Sequence, residues 1–297
     1  MIYPCCSERF HEMGHYTRQH YLPCAYLQNF SVDADQANRS SKVWRLDSKH
    51  VAPVSVDEQC FGNYLFSKAD PSAAEAEFGV VEGGFAKAVK KIRSGGRPTP
   101  EEYLSLIYAT FEFHVRNLVH ENDTGGEGMD AYHDRMTTML NRLIVAHDSS
   151  EALSPEEMLC EILKTWAVRL IRSLGPLLVT SDNPSLCFAW EVGRKASFFI
   201  LPVTPQICAV VFDKRSTEIC GDTLTESDGR GFIDALARHC NRCVYTTNKP
   251  NDTLTKFCRS IWDTRIKVRS VTGETQWCTN LIRPSQSDVF SFIRPIE

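Results

Sequence analysis

Long apolar runs are missing from this sequence. No stretch of about 18 consecutive apolar residues occurs, so the sequence predicts no membrane-spanning helix and no membrane contact. The opening segment, MIYPCCSERFHEMGH, lacks the apolar core and the small-residue cleavage site of a signal peptide. These absences favour a cytoplasmic protein, in which the 12 cysteines are thiols rather than a disulfide framework.

Sequence signatures of common nucleotide-dependent and hydrolytic enzymes are also missing. There is no G-x-x-x-x-G-K-[ST] loop, no G-x-G-x-x-G turn after a strand and no G-x-S-x-G elbow. A nucleotide-driven motor, a dehydrogenase and an α/β-hydrolase therefore lose support. We predict that the protein uses no cofactor.

Two short patterns typical of zinc sites lack the context that zinc needs. The segment HEMGH (11–15) matches H-E-x-x-H, but Gly14 weakens a helix there and the flanking residues are not amphipathic. The segment HCNRC (239–243) contains a single C-x-x-C, whereas a structural zinc site needs four ligands. We therefore predict no metal site and interpret Cys240 and Cys243 as thiols of the core.

Length and composition indicate a globular protein. A chain of 297 residues that is 42% hydrophobic and 24% charged can bury a full core. The net charge of −4 argues against a generally basic protein that coats nucleic acid, but a local basic groove stays open. We predict an N-terminal extension over residues 1–18 and one globular catalytic domain over residues 19–297.

The hydrophobic pattern changes from helical to strand-like along the chain. A hairpin is predicted over residues 43–56. Helices are then predicted over 71–92, 100–122, 131–147 and 154–175. The later predicted elements are strands at LLVTSD, ASFFILPVT, ICAVVFDK and RCVYTT, and a helix at GRGFIDALARHCN. The predicted fold class is α/β, with α+β as the alternative. A helix-rich segment (71–175) would pack against a mixed sheet in a strand-rich segment (176–297).

The stretch LLVTSDNPSLCF (177–188) is the strongest candidate for a functional site. An apolar run ends there in a polar turn that contains Asp182, Asn183 and Pro184. Open α/β sheets bind ligands at the carboxyl ends of their strands, which is where this pattern places Asp182. Asn183 would orient a water or a substrate hydroxyl. The alternative is an Asx-turn, in which Asp182 only caps the main chain that follows.

Three further positions carry titratable or charged groups. His20, in RQHYLPCAYL, titrates near neutral pH and would act as a general acid or base; alternatively it fixes a proline-containing turn. Arg116 lies on a largely apolar predicted helix, so it needs a buried partner or an anionic ligand. Glu82, on the preceding predicted helix, would provide the partner, and a phosphate would provide the ligand.

Several of these segments together resemble a bacterial family called the domain of unknown function 4238. The resemblance rests on QHYLPCAYLQNF (19–30), KVWRLD (42–47), the acids in EFGVVEGGFAKAVKKI (77–92), the helix around Arg116 and VTSDNP (179–184). It covers most of the chain, in order, from about Gln19 to about Thr247. The family's name leaves its fold and activity open. Related genes occur among bacterial phage-defence loci, so the resemblance implies an enzyme directed at nucleic acid.

If the target is DNA, these residues fit a glycosylase that flips a base out of the duplex and needs no metal. Asp182 would stabilise the positive charge that develops on the sugar or activate water, and Asn183 would position that water or read the base edge. His20 would donate a proton to the departing base. The predicted substrate-binding residues, which would stack on the base or hold phosphates, are Tyr21, Tyr26, Glu82, Arg116, Arg194 and Lys195.

In a defence setting the expected partner is modified viral DNA, with a glucosylated cytosine as one candidate base. No obligate protein partner is evident from the sequence. Two alternatives stay open. A metal-dependent nuclease needs several carboxylates that converge on the metal ions, and it would lose activity with a chelator. A non-enzymatic sensor or binding module would bind a ligand in the same cleft without turnover.

Overall fold

A computed structural model of the chain describes residues 18–34, 38, 40–121, 128–143, 155–174, 178–190, 196–272, 282 and 290–296. Residues 1–17 of the predicted extension (1–18), with the HEMGH segment, lie outside the described residues. So do two of the predicted substrate-binding residues, Arg194 and Lys195.

Seven α-helices occur among the described residues. They are α1 (Cys24–Leu27), α2 (Pro71–Arg93), α3 (Pro100–Glu121), α4 (Gly128–Leu143), α5 (Pro155–Thr165), α6 (Glu226–His239) and α7 (Asp252–Thr272). The start and stop signals of α2 are typical: Asp70 accepts a hydrogen bond from the N–H of Ala73 at 2.9 Å, and Pro71 occupies the first position. Just after its last turn, Gly95 adopts a φ of 78°, which favours glycine.

The described strands form four sheets. They are β1 (Arg18–His20), β2 (Lys42–Asp47), β3 (Val51–Ser55), β4 (Phe61–Asn63), β5 (Trp166–Ser173), β6 (Thr180–Ser181), β7 (Leu186–Phe188), β8 (Phe198–Thr204), β9 (Ile207–Asp213), β10 (Thr217–Ile219), β11 (Thr223–Leu224), β12 (Cys243–Thr246) and β13 (Ile293–Pro295). The largest sheet has the order β11-β5-β9-β8-β7, and a second has the order β3-β2-β12-β6. The pairs β1–β4 and β10–β13 form two small sheets. Because β11 pairs with β5 in parallel and the other strands are antiparallel, the largest sheet is mixed.

Helices cover both faces of the largest sheet. Every residue of β8 and β9 is buried. Leu201 of β8 packs with the apolar residues of α2 and α3, whereas Ile200 packs with those of α6 and α7. This layering follows from the period of two residues along a strand. The mixed α/β fold class predicted from the sequence is confirmed.

The second sheet joins distant parts of the chain. The predicted hairpin is confirmed as β2 and β3, in which Trp44 lies opposite Pro53. On its other side β2 pairs with β12, where Trp44 lies opposite Thr246, and β12 pairs with β6. Asp182 directly follows β6 at one end of this sheet.

The helix predicted over residues 154–175 is wrong in its second half. Helix α5 ends at Thr165, and Trp166–Ser173 is the strand β5, which pairs with β9 along most of its length. Leu170 packs with one large apolar cluster and Ile171 with the other, on the opposite face of the sheet. Because both faces are covered, apolar residues occupy odd and even positions alike. Such a run cannot be told from a buried helix by periodicity.

Nine cysteines fall within the described residues, and all nine are free thiols. Cys240 and Cys243 are buried, as interpreted from the sequence. Over the same part of the chain, no helix combines the length and the apolar character that crossing a bilayer requires.

Candidate active site

Arg116 is the centre of a buried ionic cluster. It lies towards the end of α3 with 1% of its surface exposed. Its Nη1 atom donates to a carboxylate oxygen of Glu82, on α2, at 2.7 Å and to one of Glu112 at 3.0 Å. Its Nη2 atom donates to the main-chain carbonyl of His20. The buried partner that the sequence demanded for Arg116 is therefore a pair of glutamates.

The two glutamates of this cluster have different surroundings. The Glu82 side chain is 26% exposed, whereas that of Glu112 is 2% exposed. Burial raises the pKa of Glu112 to about 7, and the Arg116 guanidinium only partly offsets that rise. A carboxyl with a pKa near neutrality exchanges protons at physiological pH, which is a property of many functional sites.

Asp182 is a buried carboxylate that holds a turn. Its Oδ1 atom accepts from the main-chain N–H of Asn241 at 2.8 Å, and its Oδ2 atom accepts from that of Arg242 at 2.7 Å. Burial raises the pKa of Asp182 to about 6, against the lowering effect of these hydrogen bonds. The neighbouring Asn183 binds the same region, since its Nδ2 atom donates to the carbonyl of His239 at 2.9 Å. Both side chains therefore contact the turn between α6 and β12, which is distant in sequence.

Asn117 connects Asp182 to the arginine cluster. Its Nδ2 atom donates to the main-chain carbonyl of Asp182 at 2.5 Å, and its Oδ1 atom accepts from the Nδ2 atom of Asn241 at 3.0 Å. Since Asn117 directly follows Arg116, the end of α3 joins the two acidic groups. The set of residues joined in this way, here called the α3 network, consists of His20, Glu82, Glu112, Arg116, Asn117, Asp182, Asn183 and Asn241.

The side chain of His20 contacts a different set of atoms. Its Nε2 atom lies 3.3 Å from the Sγ atom of Cys24 and 3.3 Å from the carbonyl oxygen of Asp57. The imidazole is half-buried, and its centroid lies 5.8 Å from that of the Phe61 ring. The main chain of His20 thus belongs to the α3 network, while its imidazole lies beside a thiol on α1.

The two predicted stacking tyrosines have different roles. Tyr26 is fully buried, with its hydroxyl 2.6 Å from Thr180 Oγ1 and donating to the carbonyl of Pro202 at 2.7 Å. Three phenylalanine rings lie between 5.4 and 5.8 Å from its own ring, so Tyr26 packs as a core residue. Tyr21 is 5% exposed, and burial raises the pKa of its phenol, with a further contribution from the nearby Asp182. Of the two rings, Tyr21 is the one associated with the α3 network.

Comparison with protein-family models matches residues 18–250 to the family described as Protein of unknown function (DUF4238). The chain belongs to the DUF4238 family. The resemblance drawn from the sequence is therefore confirmed, and the DUF4238 match contains every residue of the α3 network. Searches among curated proteins and among solved structures find no match.

Three members of the α3 network in this DUF4238 chain, Glu112, Asn117 and Asn241, were not predicted from the sequence. Glu112 has a readable signal, because it lies four residues before Arg116 on the same apolar helix and therefore on the same face. Asn117 and Asn241 have none, since their contact depends on how the turn after α6 packs against the end of α3. Cys24, beside the network, is readable only as a thiol four residues after His20.

The chemistry that this region of the DUF4238 chain offers comes from carboxyls, an imidazole and a phenol. Such groups transfer protons and stabilise positive charge. Cys243 adds a buried thiol, with its Sγ atom 3.8 Å from the Oδ2 atom of Asp182. Across the described residues, no three or more side chains of His, Cys, Asp and Glu are placed to hold a metal ion together.

Proposed function

We propose that this protein is a DNA glycosylase that needs no metal and that removes a modified base, such as a glucosylated cytosine, from phage DNA in the cytoplasm. The supporting observation is the α3 network, in which Asp182, a buried carboxyl whose pKa burial raises to about 6, is connected through Asn117 and Arg116 to the main chain of His20. Hydrolysis of a base–sugar bond needs one ionised carboxylate and a second group that holds a proton. Asp182 is the group proposed for the first role and His20 the group proposed for the second.

Asp182 is the proposed carboxylate. At pH 7 it is mostly ionised, because its pKa is about 6. An ionised carboxylate has about four acceptor positions, and the N–H groups of Asn241 and Arg242 and the thiol of Cys243 occupy three of these on Asp182. The remaining position would accept a bond from the attacking water or face the positive charge that develops on the sugar. Asn183 would orient that water or bind the edge of the base.

His20 is the proposed donor to the departing base, and Arg116 is a positioning residue. The Arg116 guanidinium binds the His20 carbonyl and two glutamates, so it fixes the main chain that carries the imidazole. Because burial raises the pKa of Glu112 to about 7, Glu112 takes up a proton at a higher pH than an exposed glutamate does. That proton limits the negative charge that the buried cluster carries, because Glu82 is the second carboxyl bound to the same nitrogen.

The base must leave the duplex to reach these groups, since a paired base cannot contact a buried carboxylate. Tyr21 is the proposed stacking ring, because it follows His20 and lies near Asp182. Glu82 is the proposed substrate contact at the exposed edge of the cluster. Arg194 and Lys195 remain proposed phosphate contacts, outside the described residues.

The test is incubation of the purified protein with plain and glucosylated phage DNA, with and without a chelator. Products are run on a denaturing gel before and after mild alkali. We expect strand breaks that require alkali and survive the chelator, since these mark abasic sites. Breaks that need no alkali and vanish with the chelator would assign the activity to a metal-dependent nuclease and overturn the proposal.

Two matched carboxylate variants separate chemistry from folding. Asp182→Asn is expected to abolish excision while the protein stays folded. Asp213→Asn is the control, because Asp213 is also a buried carboxylate that accepts from the main chain, through the N–H of Arg215 at 2.9 Å. Equal activity of the two variants, relative to wild type, would remove Asp182 from the chemistry.

A non-enzymatic sensor is the second candidate function. It is favoured by the two main-chain hydrogen bonds of Asp182, which suit a structural cap as well as a catalyst. For a sensor, no DNA would yield breaks under any condition, and Asp182→Asn would retain biological activity.

A further inference from the structure

A surface cleft of ≈ 540 Å³ lies beside the hairpin of β2 and β3 and plays no part in the proposed chemistry. Trp44 and Pro53 line it from the two strands, and Lys42 and Asp33 lie at its sides. Its volume falls within the range of about 300–1,000 Å³ that small-molecule sites occupy. We call it the Trp44 cleft.

The register of the hairpin explains why an aromatic ring is available there. Lys42, Trp44 and Leu46 alternate with the inward-facing Val43, so the first three share one face of β2. Leu46 is fully buried in the core, whereas Trp44 is half-buried and Lys42 is exposed. Along this face of β2, Trp44 is therefore the residue that lies at the boundary between the buried core and the surface.

The apolar surface of the cleft extends beyond the indole ring. Pro53, directly opposite Trp44, is exposed, as suits proline on the edge strand β3. Val32, which also lines the cleft, is 60% exposed. Trp44, Pro53 and Val32, none of them fully covered, thus meet at one place and give the cleft an apolar wall.

Two lysine side chains lie close to the Trp44 ring. Lys249 lies with its Nζ atom 6.0 Å from the centroid of the Trp44 ring, and Lys42 lines the cleft. Among the ion pairs of the described residues, none includes Lys42 or Lys249. Lys42 and Asp33 line the cleft with one charge of each sign, and Lys249 adds a second positive charge beside the Trp44 ring.

We propose that the Trp44 cleft binds single-stranded DNA, with an unpaired base stacked on Trp44 and flanking phosphates near Lys42 and Lys249. An aromatic ring with adjacent cations is the arrangement by which proteins hold single strands. A duplex is a poor fit, because its bases are already stacked. The choice of DNA rests on the proposed function, whereas the choice of an unpaired strand rests on the cleft. Asn38 and Ser41 add polar groups for the base edge.

The test measures binding rather than turnover, so it is independent of base excision. A fluorescein-labelled oligothymidine and a duplex of the same length are titrated with the protein, followed by anisotropy. We expect tighter binding of the single strand, and a loss of affinity of about 5- to 160-fold in Trp44→Ala, since one stacked base contributes about 1–3 kcal/mol. Phe257→Ala is the control, because Phe257 is an aromatic residue of α7 that is 39% exposed and does not line the cleft. It should bind like wild type.

Two further variants keep the test decisive if Trp44→Ala does not fold. Trp44→Phe should retain most of the affinity and lose the quenching of tryptophan fluorescence that accompanies stacking. Replacing both Lys42 and Lys249 by Met should reduce the slope of log affinity against log salt by about 0.7 for each phosphate that a lysine no longer neutralises.

Equal affinity of wild type and Trp44→Ala, equal affinity for single strand and duplex, or no binding of either would each overturn this inference. If the protein excises a base but its binding of DNA does not depend on Trp44, only the inference about the Trp44 cleft is overturned. If binding depends on Trp44 but no base is excised, only the proposed function is overturned.

Discussion

The replacement of Asp182 by Asn gives a pH-dependent change in stability whose sign follows from burial. The ordinary pKa of the carboxyl is 3.8, and in the folded protein burial raises it to about 6. Between pH 4 and pH 6 the unfolded chain is ionised at this position while the folded chain keeps its proton. The folded state then binds more protons, so its stability falls as the pH rises.

The magnitude follows from the size of the shift. One pKa unit corresponds to about 1.36 kcal/mol, so a shift of about 2 units corresponds to about 3 kcal/mol. The loss is absent below pH 4 and complete above pH 7. Asp182→Asn removes the titrating group, so the difference in the free energy of unfolding between wild type and variant should move by about 3 kcal/mol in favour of the variant from pH 4 to pH 7.

Urea unfolding followed by tryptophan fluorescence measures this difference at each pH. Asp47→Asn is the matched control, because Asp47 is also a buried carboxylate that accepts from the main chain, through the N–H groups of Lys49 and His50. Burial alone would raise the pKa of Asp47. Hydrogen bonds from Arg45 and these N–H groups have the larger combined effect, so the pKa of Asp47 lies below its ordinary value. Its stabilisation is therefore present above pH 4 and lost below it. A flat difference for Asp182→Asn between pH 4 and pH 7 would refute the reasoning.

Three further substitutions, two of them paired with a control substitution, test the packing of the fold, and urea unfolding measures every variant. Arg116→Met should lose about 3–5 kcal/mol because it leaves buried carboxyls unpaired, whereas Arg215→Met, at a more exposed pair, should lose about 1 kcal/mol or less. Thr225→Ala should lose about 1 kcal/mol, since Thr225 caps α6, and Thr225→Ser should lose little. Phe199→Ala should lose about 3–5 kcal/mol because Phe199 is fully buried. A loss below 1 kcal/mol for either Arg116→Met or Phe199→Ala would contradict the packing described.

Local sequence patterns predict those helices and strands of this fold whose apolar spacing is not obscured by tertiary packing. The helix α2 was readable because Asp70, Pro71 and a stripe that includes Phe78 and Phe85 all agree. The strand β5 was not readable, because apolar clusters pack against both of its faces. The helix α7 was also missed, although Cys258 and Trp262 are buried four residues apart. Its mean composition is polar, so the short apolar stripe is easy to overlook.

The candidate site was predicted in part for the same reason. A charged side chain on an apolar helix demands a partner, so the pairing of Arg116 with Glu82 could be anticipated. The polar turn at Asp182 could be read as a strand end, and β6 confirms that position. What the carboxylate contacts could not be read, because the turn at Asn241 and Arg242 reaches it only through the tertiary fold. The functional roles of these residues remain predictions.

The pairing of β2 with β12 has a consequence for the synthesis of this chain. Asp47 pairs with Cys243 and Trp44 with Thr246, so β2 stays without its inner neighbour until most of the chain has left the ribosome. Pairings over such sequence distances form slowly. Until then the hairpin presents an open edge, which can pair with another nascent copy. A fragment that ends before Cys243 should therefore aggregate rather than fold, and expression should improve at low temperature or with chaperones that shield the unpaired strand.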